Sequence, residues 1–174
     1  MSASAGARGV LERIRAAQDG GLVVGQRSLP PFATALREIS AGQKASHWIW
    51  YVWPSLAQIR PNVRLPQFLL PDLAAARAYA DDGVLRGRLL EISRAATAHL
   101  QGGVPPATLF GQQHRYDAPK FHETMTAFAL AARLSGQREL EEACRDGAVA
   151  LAGGLHRPTV QLALAGNNGP PRGA

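Results

Sequence analysis

Apolar residues recur along this chain at intervals of three and four, the period that lays one greasy stripe along an α-helix. Val10, Leu11, Ile14 and Ala17 open the series, and Asp19-Gly20-Gly21 stops it. After an irregular connection over 21–29, Pro30-Pro31 starts a second helix with Phe32, Ala35, Leu36 and Ile39 on one face. Asp72 stands where an N-cap belongs, ahead of an Ala-rich helix over 73–79, and Asp82-Gly83 breaks that helix. Residues 84–101 form the clearest amphipathic helix, with Leu85, Leu89, Ile92 and Ala96 inward and Arg86, Arg88, Glu91 and Arg94 outward. One turn over 105–110 and a polar loop follow. Asp117 is then expected to cap a helix to Leu134, with Pro119 in its first turn and Phe121, Met125, Phe128 and Ala132 on its stripe. Helices over 137–151 and 158–164 complete the set.

The pattern predicts an all-α, irregular multi-helix single domain of roughly seven to eight helices over residues 9–165. Residues 1–8 and 166–174 are small and polar, without the apolar surface needed to order a chain, and are expected as disordered tails. Four prolines between 54 and 71 predict a long surface loop, of the kind that can serve as a lid. The densest aromatic stretch, Ser46-His47-Trp48-Ile49-Trp50-Tyr51-Val52-Trp53, is ambiguous in period. Its residue types suit a strand, yet no partner strand of similar quality is visible, so a helix over 43–53 ended by Pro54 is the expectation.

Composition narrows the class. At 174 residues and 46% hydrophobic content the chain suits one domain with a real core. No apolar run reaches the roughly 18 residues of a membrane span, and the N-terminus has no signal-like apolar core, so a soluble, cytoplasmic protein is expected. A single cysteine, Cys144, agrees with a reducing compartment and excludes a cysteine-based zinc cage. The net charge of +6 raises nucleic acid as a partner, but the arginines are scattered from Arg8 to Arg172, where a nucleic-acid face would cluster them. Of 19 basic residues only Lys44 and Lys120 are lysine, which suggests either an ammonium needed at those places or survival by chance.

No phosphate-cradling glycine loop, dinucleotide fingerprint, paired zinc ligands or nucleophile elbow is present, and neither metal nor cofactor is expected. Two weaker constellations remain. On a helix Lys44, His47 and Tyr51 would share a face beside Ser46 and Trp50, placing a cation, an imidazole and a phenol within reach of one ligand. Core packing by the same aromatics is the competing reading. The second group is Asp117, Lys120, His122, Glu123, Met125 and Thr126. In it Lys120 sits in a first helical turn, where the macrodipole disfavours a cation and an anionic neighbour or ligand would suit it. His122 and Glu123 are adjacent, which is poor spacing for a metal pair, and His99, His114 and His156 lack matched partners.

The stretch 41–54, AGQKASHWIWYVWP, resembles the signature of a bacterial and fungal family, the domain-of-unknown-function family numbered 1810, whose bacterial members are often mislabelled calpastatin. Arg15-Ala16-Ala17-Gln18-Asp19, Ala74 to Tyr79, Leu85 with Arg88-Leu89, Leu109-Phe110-Gly111 and Asp117 to Phe128 fit it in the same order. The resemblance implies an all-α domain and no established activity. By it, Lys44, Ser46, His47, Trp48, Trp50, Pro54, Asp117, Lys120, Met125 and Thr126 fall on motif positions. The chain departs from the family pattern in three places: residues 20–30 look inserted, 57–70 carry prolines and arginines where a Gly-rich segment with a Ser and then a Tyr-x-Ile are usual, and the polar Asp-Asp pair before the Lys is only partly present, as Tyr116-Asp117.

The leading expectation is a binding module that holds an anionic small molecule or a protein segment through Lys44, Ser46, His47, Trp50, Tyr51, Lys120 and Thr126. The alternative is an enzyme with His47 as acid or base, oriented by Asp117 and assisted by Lys120; nucleic-acid binding is the third. The first two require His47 and Lys120 to meet in one solvent-reachable hollow.

Overall fold

The computed structural model describes residues 2–167, and within them the chain forms nine α-helices and one short β-hairpin. The helices are α1 (Ser2–Gly20), α2 (Phe32–Ser40), α3 (Ile49–Val52), α4 (Leu73–Asp81), α5 (Gly83–Gln101), α6 (Pro106–Leu109), α7 (His114–Leu134), α8 (Arg138–Ala152) and α9 (Arg157–Asn167). Helix α7 is central. It packs most extensively on α8 and also on α4 and α9, while α5 joins α8 to α2.

The amphipathic stripes fall where the periodicity places them. Val10, Ile14 and Ala17 of α1, Phe32, Ala35 and Ile39 of α2, Leu85, Leu89, Ile92 and Ala96 of α5, and Phe121, Met125, Phe128 and Ala132 of α7 are all buried. Asp72 caps α4 by accepting from the Ala75 amide at 2.8 Å. Asp82 does more than break that helix: it caps α5, accepting from the amides of Val84 and Leu85 at 2.9 Å. Each such cap contributes about 1 kcal/mol. Among the described residues no helix is long and apolar enough to cross a membrane.

Four local expectations change. Helix α1 begins at Ser2, inside the stretch expected as a tail, although from residue 6 onward its first buried residue is Val10. At the other end Gly166 and Asn167 close α9, and the rest of the expected tail, 168–174, lies outside the described residues. Residues 21–29 are ordered as an antiparallel hairpin, β1 (Leu22–Val24) with β2 (Arg27–Leu29), turned by Gly25-Gln26. Gly25 has φ +60°, as the first central residue of a Gly-X hairpin turn requires. The proline-rich segment 54–71 is no free surface loop. Leu56, Leu65, Phe68 and Leu70 are buried, and its two ends are joined by Leu70 N–H to Ser55 O and Ala57 N–H to Leu70 O. Between these buried positions Gln58, Pro61, Asn62, Arg64, Pro66 and Gln67 are exposed.

The aromatic stretch departs most. A helix forms only over Ile49–Val52, and residues 43–48 run as irregular backbone. One carboxylate accounts for this. Glu38, at the end of α2, accepts from the backbone N–H groups of Ala45 and Ser46, from the Ser46 hydroxyl at 2.6 Å and from the Trp48 indole at 2.8 Å. Charge-assisted bonds of this kind outweigh a marginal helical turn. Trp48 and Trp53 are then driven into the interior, edge to face at 5.2 Å, and Trp53 also meets Phe121 at 4.7 Å.

Candidate functional site

The irregular segment 43–48 lies against the turn between α6 and α7. The Lys44 amide donates to Leu109 O at 2.7 Å, and Gly111, with φ +64°, passes so close that a Cβ there would sit 2.5 Å from Lys44 O. Only glycine suits that crossing, because it tolerates both the left-handed backbone and the contact. The crossing sets Lys44 over the start of α7. Its ammonium lies 2.8 Å from Asp117 Oδ2, with the two side chains 3% and 5% exposed, donates to Ser46 O at 2.7 Å, and stands over the Trp48 ring. The Lys44–Asp117 contact is an ion pair without hydrogen-bond angles.

Helix α7 begins at His114, three residues before Asp117, so Asp117 lies within the first turn and is not the N-cap expected of it. Its carboxylate serves the Lys44 ammonium instead.

Beside this seam opens a cleft of about 490 Å³ between the hairpin, the 60–64 stretch, the aromatic segment and the start of α7. Lys44, His47, Trp50, Asp117 and Lys120 line it together with Arg27, Arg60 and Arg64. The imidazole is exposed, and Lys120 shares its hollow. Five cations therefore face a single lining carboxylate. Lys44 is held by Asp117, and Arg60 by Glu123 through a two-pronged contact at 2.6 and 3.0 Å. Among the described residues Arg27, Arg64 and Lys120 have no carboxylate within 4.0 Å.

Lys120 is 8% exposed, and its ammonium lies 5.2 Å above the Trp50 ring. Burial lowers its pKa from the ordinary 10.5; Asp117 opposes that, Arg60 and Lys44 add to it, and Glu123 opposes it. His47 is also shifted down, by burial and by Lys44, against the pull of Asp117, with Arg27 and Arg64 acting in the same direction as Lys44. The shift favours the neutral imidazole, the form that can accept a proton.

Other expected site residues lie elsewhere. Tyr51 is sealed in the core, its hydroxyl donating to Pro30 O at 2.5 Å and its phenol pKa pushed up by burial; without a helix over 43–53 it shares no face with Lys44 and His47. The Ser46 hydroxyl is taken up by Glu38. Thr126 is fully buried, donating to His122 O and accepting from the His156 amide, each at 2.9 Å, which ties α7 to the start of α9. Asp117 makes no hydrogen bond to His47, so the orienting contact asked of it in the catalytic alternative is not formed. His99, His114 and His122 each meet a backbone carbonyl, His156 meets Thr159, and the described residues hold no cluster of metal-ligating side chains. Glu38, Arg27, Arg60 and Arg64 do not stand out in the sequence. The available signal is a lone acid shortly before the Ser-His-Trp run, and arginines in 20–30 and 57–70, the segments expected from the sequence to differ from the resembled family.

Fold and cleft together define a small helical domain with a cation-rich hollow. The family model described as "Protein of unknown function (DUF1810)" matches residues 11–146, and the chain belongs to that family. Among solved structures it is similar to the conserved hypothetical protein Rv1873 from Mycobacterium tuberculosis, with 26% identity and a TM-score of 0.66, covering 89% of this chain and 96% of that one. No curated protein matches.

Proposed function

We propose that the domain binds a small anionic molecule in the cleft between the hairpin and the start of α7. One observation carries this: Lys120 is nine-tenths buried, lines the cleft, and has neither an ion-pair nor a hydrogen-bond partner among the described residues, with unpaired Arg27 and Arg64 lining the same hollow. Burying a charge without a partner is costly, and a ligand's phosphate or carboxylate oxygens would remove that cost. The Trp50 ring and the exposed Tyr116 at the rim supply flat surface for the rest of the ligand. The cations converge on a hollow of small-molecule size, which favours a small ligand over a polymer lying along the surface. The lone, buried Cys144 supports a reducing, cytoplasmic setting.

The test is a thermal melt with inorganic phosphate or citrate, against sodium chloride at equal ionic strength. A ligand at a hundred times its Kd adds about 2.7 kcal/mol, a Tm rise of several degrees for a chain of this size. Lys120→Met should lose most of that rise. Equal melting in chloride and in the polyvalent anions overturns the proposal. So does steeply salt-dependent binding of generic duplex DNA without any response to small anions.

A further inference from the structure

We propose that Lys120 is a reactive amine that condenses with the carbonyl carbon of a small anionic aldehyde or 2-oxo acid, its anionic group held by Arg27 and Arg64; this rests on the anion-binding reading of the cleft.

The chain contains two lysines, and the fold treats them oppositely. Lys44 is closed off, ion-paired to Asp117 and hydrogen-bonded to Ser46 O. Lys120 is almost as deep, yet its nitrogen opens on the cleft with no partner among the described residues. An amine attacks carbonyls only when neutral, and proteins obtain neutral lysines by desolvation beside other cations. Both conditions hold here. The charged groups around Lys120 are Asp117 and Glu123 on its own helix, Arg60 from the proline-rich segment and Lys44 from the irregular one. Arg27, Arg64 and the His47 imidazole line the same hollow. Burial outweighs the two carboxylates, and the cations act with it, so the neutral share of this amine exceeds that of an ordinary lysine at any given pH.

The step balances without an oxidant or reductant. The Nζ lone pair forms a bond to the carbonyl carbon, and the carbonyl π pair moves to oxygen. The nitrogen sheds a proton, for which the neutral His47 imidazole in the same cleft is an acceptor, and the oxygen gains one. The resulting carbinolamine loses its hydroxyl with a second proton as water while the nitrogen forms its double bond, so amine plus carbonyl gives imine plus water.

The experiment uses the full chain with pyruvate or pyridoxal phosphate, cyanoborohydride to trap the imine, and peptide mapping of Lys44, Lys120 and the terminal amine. At neutral pH the folded chain should carry more adduct on Lys120 than the urea-unfolded chain, as expected of an amine whose pKa is lowered by burial. Lys44 should stay unmodified, and inorganic phosphate should slow the labelling. The folded protein's labelling should also rise at lower pH than the unfolded chain's. Lys120→Arg should abolish the adduct while keeping the phosphate-induced rise in Tm. Should that variant fail to fold, phosphate competition on the unaltered protein decides the same question. Labelling of Lys120 no faster in the folded than in the unfolded chain, with the phosphate effect on Tm intact, overturns the reactive amine and leaves the anion site standing. Loss of both responses overturns both.

Discussion

The seam under the cleft and the wall of the cleft are built from the same residue types and treat charge in opposite ways. In the seam every charge is answered, Glu38 by four donors and Lys44 by Asp117 and a carbonyl, and at the wall Arg60 is answered by Glu123. In the wall Lys120, Arg27 and Arg64 are left over. A protein concerned only with stability gains nothing from a cation that its surroundings desolvate and no carboxylate answers. The contrast therefore separates a framework from a surface kept for something outside the chain. Changes in the seam should cost stability, and changes in the wall should cost ligand.

The largest effect is expected from breaking the buried pair on one side. Asp117→Ala leaves the Lys44 ammonium buried and alone, and should lower stability by about 3–5 kcal/mol in urea unfolding. Replacing both partners, Lys44→Met with Asp117→Leu, should restore most of that loss, because two buried charges are removed together. A double variant as unstable as the single one would show that the pair is held for its geometry and not its charge balance.

Glu38→Gln comes next. The amide keeps one acceptor oxygen but sets an NH2 against groups that themselves donate, and should cost about 1.5–3 kcal/mol, the worth of a hydrogen bond to a charged group. The same residue gives a pH signature. Burial raises the Glu38 pKa, but the bonds from Ser46, Trp48 and the Ala45 and Ser46 amides outweigh it and hold the folded value below 4.5. A carboxylate depressed on folding stabilises above its unfolded pKa and loses that contribution as pH falls through the folded one. The unaltered protein should thus lose stability below about pH 4.5 more steeply than Glu38→Gln does. Parallel acid profiles would remove Glu38 as the organiser of residues 43–48.

How legible the molecule is in its sequence differs between the two regions. The helix stripes of α1, α2, α5 and α7 follow from periodicity because burial enforces it. The segment 43–48 does not, because a single carboxylate several residues earlier overrides local propensity and leaves no periodic trace. His47, Trp50 and Lys120 do meet in one hollow, as their residue types suggest, while Tyr51, Ser46 and Thr126 share the chemistry of site residues but direct it to Pro30, Glu38 and the α7–α9 junction. Asp117 resembles a cap because acids favour helix starts, but the helix begins a turn earlier, at His114. Arg27 and Arg64 are hidden by abundance, since one arginine in a chain rich in them carries no mark of its task.

Those two arginines give the smallest effect on stability and the finest test of the contrast. Both are exposed and unpaired among the described residues, so Arg27→Ser and Arg64→Ser should each move stability by less than about 0.5 kcal/mol. Each should nevertheless weaken phosphate or citrate binding at low salt by up to about fivefold, the worth of one exposed charge contact near 1 kcal/mol, and less as salt rises. Arg27 comes from the hairpin, and Arg64 from the proline-rich segment 54–71. On the resemblance read from the sequence, both are expected where this chain departs from the family pattern, and Lys120 is expected on it. If the wall is a ligand surface, its deep cation should be needed for any anion, and the two rim cations should decide which anion this member prefers. Titrating phosphate, citrate and a monocarboxylate such as acetate against each variant separates the two roles. Rim variants that weaken all three anions equally would reduce Arg27 and Arg64 to general attraction.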